Sequence, residues 1–205
     1  MKTRNKKFIY LISPNKIINN SFYNILNRVF KSKKVKFFQL RLKKESIKKK
    51  VIISKKILQI CKRNKVKLII NDNYIFALKI NADGCHMGQL DGSISNARKK
   101  LKKKLLGITC HNSKTFAEKA IFYKADYIAF GSFYKSKLKQ NAKRSNIHIL
   151  KWAKRNIKKP IVAIGGINNH NYKKLIKAGA KYIAISSFIW DNPRLKPELA
   201  IRKFK

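Results

Sequence analysis

One pattern recurs about eight times along the 205 residues: a short apolar run, a polar turn, then a basic amphipathic stretch. The runs lie at residues 8–12, 35–40, 66–70, 84–87, 105–109, 127–130, 161–164 and 182–186. They are short and almost continuously apolar, as strands buried on both faces must be. The stretches between them carry helical spacing, as in Phe22, Ile25, Leu26 and Val29. Helices are expected over residues 21–31, 46–63, 94–101, 113–123, 147–155 and 197–204. A short one holds Ile75, Ala77 and Leu78, and another runs from a cap at Asn168 or Asn169 to Lys177, ended by Gly179. Ser113 is placed to cap the fifth helix. Strands alternating with helices imply a parallel sheet, and eight units close it. An open doubly wound sheet needs a switch point, and no dinucleotide glycine fingerprint follows the first run. The expected fold is therefore α/β, a (β/α)8 TIM barrel, with one compact domain over residues 1–205 and no dividing linker.

A parallel barrel brings the carboxyl ends of its strands to one rim, where function is to be sought. Gln39, Arg41 and Lys43 alternate at the end of the second run and so share a face. An amide there reads a ring edge and two cations hold phosphate, although a basic strand end in a basic chain needs no function. Asn71 and Asp72 end the third run, and Asp91 follows the fourth. Asn and Asp favour turns, yet two carboxylates on one rim also suit magnesium, which takes hard oxygen ligands. His86 and His111 fit a base, a phosphate donor or a packed structural residue; no third nitrogen or sulfur stands at zinc spacing. The polar loop 131–145 is rich in lysine and serine, either a solvated loop or a cover for a phosphorylated substrate. Gly165 and Gly166 break a buried strand just before a helix, and Ile185, Ser186 and Ser187 close the neighbouring one. Glycine amides approach an anion closely, so the same residues make a turn and an anion cup.

The formal net charge is +43, from 51 Lys plus Arg against 8 Asp plus Glu. Lysine is spread along the whole chain, which reads as compositional drift more than as a dedicated RNA-binding face. Non-specific polyanion binding at low salt is expected, without a specific nucleic-acid partner. Among the scarce acids, Asp72, Asp83, Asp91 and Asp126 all fall near strand ends. Cys61, Cys85 and Cys110 have no metal spacing and read as reduced thiols in or near the core, which points to the cytoplasm. No secretory signal or membrane span is apparent. Self-association is left open.

Several segments together resemble the thiamine-phosphate synthase family along nearly the whole chain. They are Gln39-Leu40-Arg41-Leu42-Lys43, Leu68-Ile69-Ile70-Asn71-Asp72 and Asp83-Gly84-Cys85-His86-Met87-Gly88-Gln89-Leu90-Asp91. Further on come Leu106-Gly107-Ile108-Thr109-Cys110-His111, Asp126-Tyr127-Ile128-Ala129-Phe130-Gly131 and Val162-Ala163-Ile164-Gly165-Gly166-Ile167. The resemblance implies transfer of a hydroxymethylpyrimidine group from its pyrophosphate to the ring nitrogen of a phosphorylated thiazole, with magnesium. In that family the pyrimidine substrate is thought to ionise first, giving a carbocation that the thiazole captures. Carried onto this chain, Gln39 would contact the pyrimidine. Arg41, Lys43, Asn71 and, from the long loop, Lys139 would hold pyrophosphate, and Asp72 and Asp91 would ligate magnesium. Thr109 stands in a usual serine place near the reacting pyrophosphate, and Ser136 preserves a loop hydroxyl. Gly166, Ile185 and Ser186 would bind the thiazole phosphate. The chain departs from the family pattern at Ser132, a usual proline, at Leu138, a usual threonine, and at Leu90, a usual glutamate. A thiazole tautomerase-like barrel and a non-catalytic RNA-binding derivative are the alternatives; the retained diphosphate set argues against the first.

Overall fold

A computed structural model describes residues 7–135 and 144–205. Its strands are β1 (Ile9–Ile12), β2 (Val35–Leu40), β3 (Lys67–Asn71), β4 (Gly84–Met87), β5 (Leu105–His111), β6 (Tyr127–Phe130), β7 (Ile161–Ile164) and β8 (Tyr182–Ile185). Between them lie α1 (Ser21–Phe30), α2 (Ile47–Arg63), α3 (Tyr74–Lys79), α4 (Ile94–Leu101), α5 (Lys114–Phe122), α6 (His148–Asn156) and α7 (Tyr172–Ala178). After β8 come α8 (Ser187–Trp190) and α9 (Pro197–Ala200). The strands pair in sequence order, all parallel, and β1 closes on β8.

Alternation along each strand builds two apolar layers. Ile9 and Leu11 of β1 face the helices, while Tyr10 and Ile12 fill the barrel with Phe37, Ile69, Tyr127, Val162 and Tyr182. Gly107 pairs with Tyr127 across β5 and β6. A Cβ at position 107 would sit 2.0 Å from the Tyr127 ring, so the missing side chain makes room for that ring. Gly107→Val is expected to cost about 2–3 kcal/mol of stability through overpacking, read as a lower denaturant midpoint at unchanged slope.

Local chemistry sets the helix starts. Ser46, Ser93 and Ser113 accept hydrogen bonds from the backbone N–H three residues on, as N-caps do. At the seventh unit the expected cap is shifted. Asn168 accepts from the N–H groups of His170 and Asn171, holding a turn, and the helix starts only at Tyr172. Gly179 ends it at φ 126°. The last expected helix is shorter: α9 gives way to a 3₁₀ turn over Ile201–Lys203. Four-residue α8 was not foreseen; it follows β8 directly, and its Trp190 indole donates to the Ile12 carbonyl at 2.6 Å. β5 runs two residues further than its apolar run, through an irregular register between Thr109 and His111.

All three cysteines are free and buried, and burial pushes the Cys110 thiol up to about 12. Asp83 and Asp126 lie at the amino ends of β4 and β6, away from the carboxyl rim. Each accepts from a backbone N–H of the preceding strand, Leu68 or Leu106, at 2.8 Å. Lys67 and Arg98 pair with them at 2.7 and 2.8 Å. These two acids fasten neighbouring units to one another.

Candidate functional site

The carboxyl ends of the strands surround a cavity of about 1110 Å³. Gln39, Arg41, Lys43, Asn71, Asp72, Asp91, Thr109, Gly166, Ile185 and Ser186 all line it. Two further expected residues, Ser136 and Lys139, lie outside the described residues, as does Leu138. The sequence reading missed Ser13, Asn15 and Gln89, which also line the cavity. Ser13 Oγ accepts from the Arg41 backbone N–H at 3.0 Å, and Asn15 Oδ1 accepts from the Arg41 guanidinium at 3.2 Å. Gln89 donates to the Thr109 carbonyl. Only their place after apolar runs marked these three, and a turn residue looks the same.

Asp72 is both turn and rim residue. It sits at φ 66°, a conformation Asp tolerates, and its N–H donates to the His86 carbonyl at 2.8 Å, extending the β3–β4 ladder. Asn73 then caps α3 through Phe76 N–H at 2.8 Å. The turn thereby carries the Asp72 carboxylate to Asp91, within hydrogen-bonding reach, while Lys43 Nζ lies 3.4 Å from its Oδ2. Asp91 is held in turn by the Gly88 N–H, 2.6 Å from its Oδ2. Leu90, between these anchored neighbours, is 99% exposed.

Burial raises the Asp72 pKa above the usual carboxylate value, and the hydrogen bond and charge of Asp91 raise it further; Lys43 opposes both. Asp72 and Asp91 are two hard oxygen donors that repel each other, the residues here that could hold a divalent cation. Among the described residues no group of three or more His, Cys, Asp or Glu gathers, so other ligands of such a cation would be water or substrate oxygens. The repulsion has a thermodynamic sign. A carboxyl with a raised folded-state pKa costs nothing below the unfolded value and destabilises as pH rises through the folded value. Asp72→Asn is expected to raise the melting temperature of the chelator-treated protein at pH 7.5, with the difference vanishing near about pH 4. Thermal melts across that range check it.

Across the cavity, Gly165 and Gly166 turn out of β7 at φ 108° and 58°. Phe133 N–H donates to the Ile164 carbonyl and Tyr134 N–H to the Gly165 carbonyl, both at 3.1 Å, so the start of the long loop packs on this turn. Ser186 Oγ donates to the Ser13 carbonyl at 3.2 Å, tying the end of β8 to β1. His86 is packed beneath the rim: its Nε2 meets Thr109 Oγ1 at 2.9 Å and its Nδ1 meets Tyr127 Oη at 3.3 Å.

A closed parallel barrel whose carboxyl rim carries paired carboxylates, cations and a glycine turn around one cavity has the build of a (β/α)8 enzyme. Residues 9–189 match the family described as thiamine monophosphate synthase. The chain belongs to that family. It is 55% identical over 201 residues to a thiamine-phosphate synthase of Pelagibacter ubique, covering 98% of this chain and 97% of the relative. A thiamine-phosphate synthase of Erythrobacter litoralis is 36% identical over 189 residues, 90% of this chain and 88% of its own. Among solved structures, thiamine phosphate pyrophosphorylase from Pyrococcus furiosus superposes with a TM-score of 0.86 at 24% identity, covering 98% of this chain and 95% of that one. 3-Hexulose-6-phosphate synthase superposes at 0.69 with 14% identity, covering 96% of this chain and 98% of its own; both likenesses speak to the fold alone.

Proposed function

We propose that the rim cavity joins hydroxymethylpyrimidine pyrophosphate to a phosphorylated thiazole, giving thiamine phosphate and pyrophosphate. The chain is a transferase, a thiamine-phosphate synthase, and residues 1–205 act as one catalytic domain. The observation that carries the reading is the Asp72–Asp91–Lys43 cluster facing the Gly165–Gly166 turn across one cavity. One pole suits a departing diphosphate with its cation, the other a phosphate monoester.

In this reading Gln39 orients the pyrimidine and Arg41, Lys43 and Asn71 grip its diphosphate, with Ser136 and Lys139 contributing from the long loop. Asp72 and Asp91 would hold Mg²⁺, which when bound neutralises the charge that develops on the departing diphosphate. Fixed Arg41 and Lys43 act in the same sense, because they meet more negative charge in the transition state than in the ground state. Thr109 donates from beneath. The thiazole phosphate rests on Gly166, Ile185 and Ser186, bringing the ring nitrogen toward the carbon that loses diphosphate. The cavity walls shield that carbon from water until the thiazole captures it. Capture of an ionised pyrimidine by the thiazole nitrogen needs no general base, so the Thr109–His86 contact is not asked to activate a nucleophile.

Incubation with both substrates and magnesium is expected to yield thiamine phosphate; folded protein that makes none overturns the reading. The partners are small phosphorylated molecules, and the working compartment is the cytoplasm. Among the described residues no helix is long and apolar enough to cross a membrane. The +43 charge is expected to give RNA binding that ignores sequence. Its affinity should fall by at least about 100-fold between 50 and 200 mM salt, as counterion release dictates. Filter binding with two unrelated RNAs checks it.

A further inference from the structure

A continuous hydrogen-bonded chain runs inside the barrel beneath the cavity and surfaces at two places on its rim. Gln39 Nε2 donates to Tyr10 Oη at 3.0 Å. Tyr10 Oη meets Tyr127 Oη at 2.8 Å. Tyr127 Oη meets His86 Nδ1 at 3.3 Å, and His86 Nε2 meets Thr109 Oγ1 at 2.9 Å. The middle of the chain is dry: Tyr10, Tyr127 and His86 are 2%, 1% and 7% exposed. His86 and Tyr127 also stack, with ring centroids 5.6 Å apart, so the imidazole is fixed in orientation as well as position. Burial holds both phenols well above the ordinary tyrosine value, so each keeps one proton and donates once.

With His86 neutral, a chain of single donors has only two self-consistent polarities. In one, the Gln39 amide donates and each hydroxyl passes its proton onward toward Thr109. His86 Nδ1 then accepts, Nε2–H donates to Thr109, and the threonine hydroxyl is left to donate into the cavity. In the other every bond is reversed: His86 carries its proton on Nδ1, Thr109 spends its proton on Nε2, and Gln39 turns its nitrogen outward. A buried chain that mixes the two leaves a donor facing a donor or an acceptor facing an acceptor, which is costly.

We propose that an anion at Thr109 selects the first polarity, so that the diphosphate end of the substrate sets how Gln39 meets the ring end. His86 is then a positioning residue, a neutral imidazole protonated on Nε2. Thr109 donates to the diphosphate, and Gln39 shows Oε1, an acceptor, to a donor on the pyrimidine. The identity of those two groups rests on the synthase reading; the coupling itself rests on the chain.

The test is the His86 tautomer, read by two-bond ¹H–¹⁵N spectra of the full chain labelled at its 4 histidines. The His86 signal is assigned by its loss in His86→Gln. With magnesium pyrophosphate as the probe, His86 is expected to be protonated on Nε2 and bare on Nδ1. In Tyr127→Phe, which keeps the ring and loses the donor, the tautomers should mix. The same variant should lower kcat about 10-fold while KM moves less than about 2-fold. His86→Gln places an amide nitrogen where Nε2 was and should turn over at least about fivefold faster than His86→Asn, whose nitrogen stops a bond short. A His86 protonated on Nδ1 with pyrophosphate bound overturns the proposal, as does a folded Tyr127→Phe protein with wild-type kcat. The tautomer is read without turnover, so it separates failure of this coupling from failure of the synthase reading.

Discussion

Asp72→Asn is expected to lower kcat/KM by more than about 100-fold at saturating magnesium, about 3 kcal/mol of transition-state stabilisation. Asparagine is the informative replacement because position 72 sits at φ 66°, which it tolerates, so the β3 turn and the Asn73 cap stay in place. Asp72→Ala should lose at least as much and adds strain at that left-handed position. The charge is what matters. Asp72 faces Asp91 and lies 3.4 Å from Lys43, so in the proposed reading its loss would leave one carboxylate to hold the cation against a released lysine. Steady-state assays across a magnesium titration check the prediction. A variant with unchanged kcat/KM would remove Asp72 from the reaction. The same variant is expected to melt at a higher temperature without metal, so loss of activity and loss of fold are separated in one protein.

How far the sequence carried depended on which interactions encode each feature. The barrel was legible because its strands must be apolar on both faces, and the eight runs announce that directly. Rim membership followed from position at the end of a run, which placed Gln39, Arg41, Asn71, Asp72 and Thr109 around one cavity before any distance was known. Asp83 and Asp126 look identical to Asp72 in such a reading, since all lie near strand ends. What separates them is the side of the strand: Asp83 and Asp126 precede one and pin its neighbour, while Asp72 follows one. On sequence His86 fits three roles, because a buried histidine is defined by partners distant in sequence. Tyr127 is 41 positions away and Thr109 is 23. The tyrosines went unremarked for the same reason, since inside an apolar strand a phenol reads as core. Short α8 was missed because four residues give no periodicity to detect.

Gly166→Val is expected to raise KM for the phosphorylated thiazole by more than about 10-fold while leaving the KM for the pyrimidine diphosphate within about 2-fold. At φ 58° the residue is in the left-handed region that a β-branched side chain strongly resists. A Cβ there would stand 2.4 Å from the Lys135 carbonyl oxygen and 2.8 Å from the Tyr134 backbone. These atoms are backbone, so relief requires moving the start of the long loop off the β7 turn. That contact is held by the Phe133 and Tyr134 N–H bonds to Ile164 and Gly165, and their loss opens the cup on the β7 side only. Lys43, Asp72 and Asp91 lie in the loops that follow β2, β3 and β4, across the barrel, and keep their geometry. The expected result is a split between the two substrates. Equal weakening of both would mean the cavity has one shared phosphate site, and the two-pole assignment of the rim would have to be abandoned. Gly166→Ala is the graded companion: it meets the same backbone clash with a smaller side chain and a weaker conformational penalty, so its effect should fall between wild type and valine.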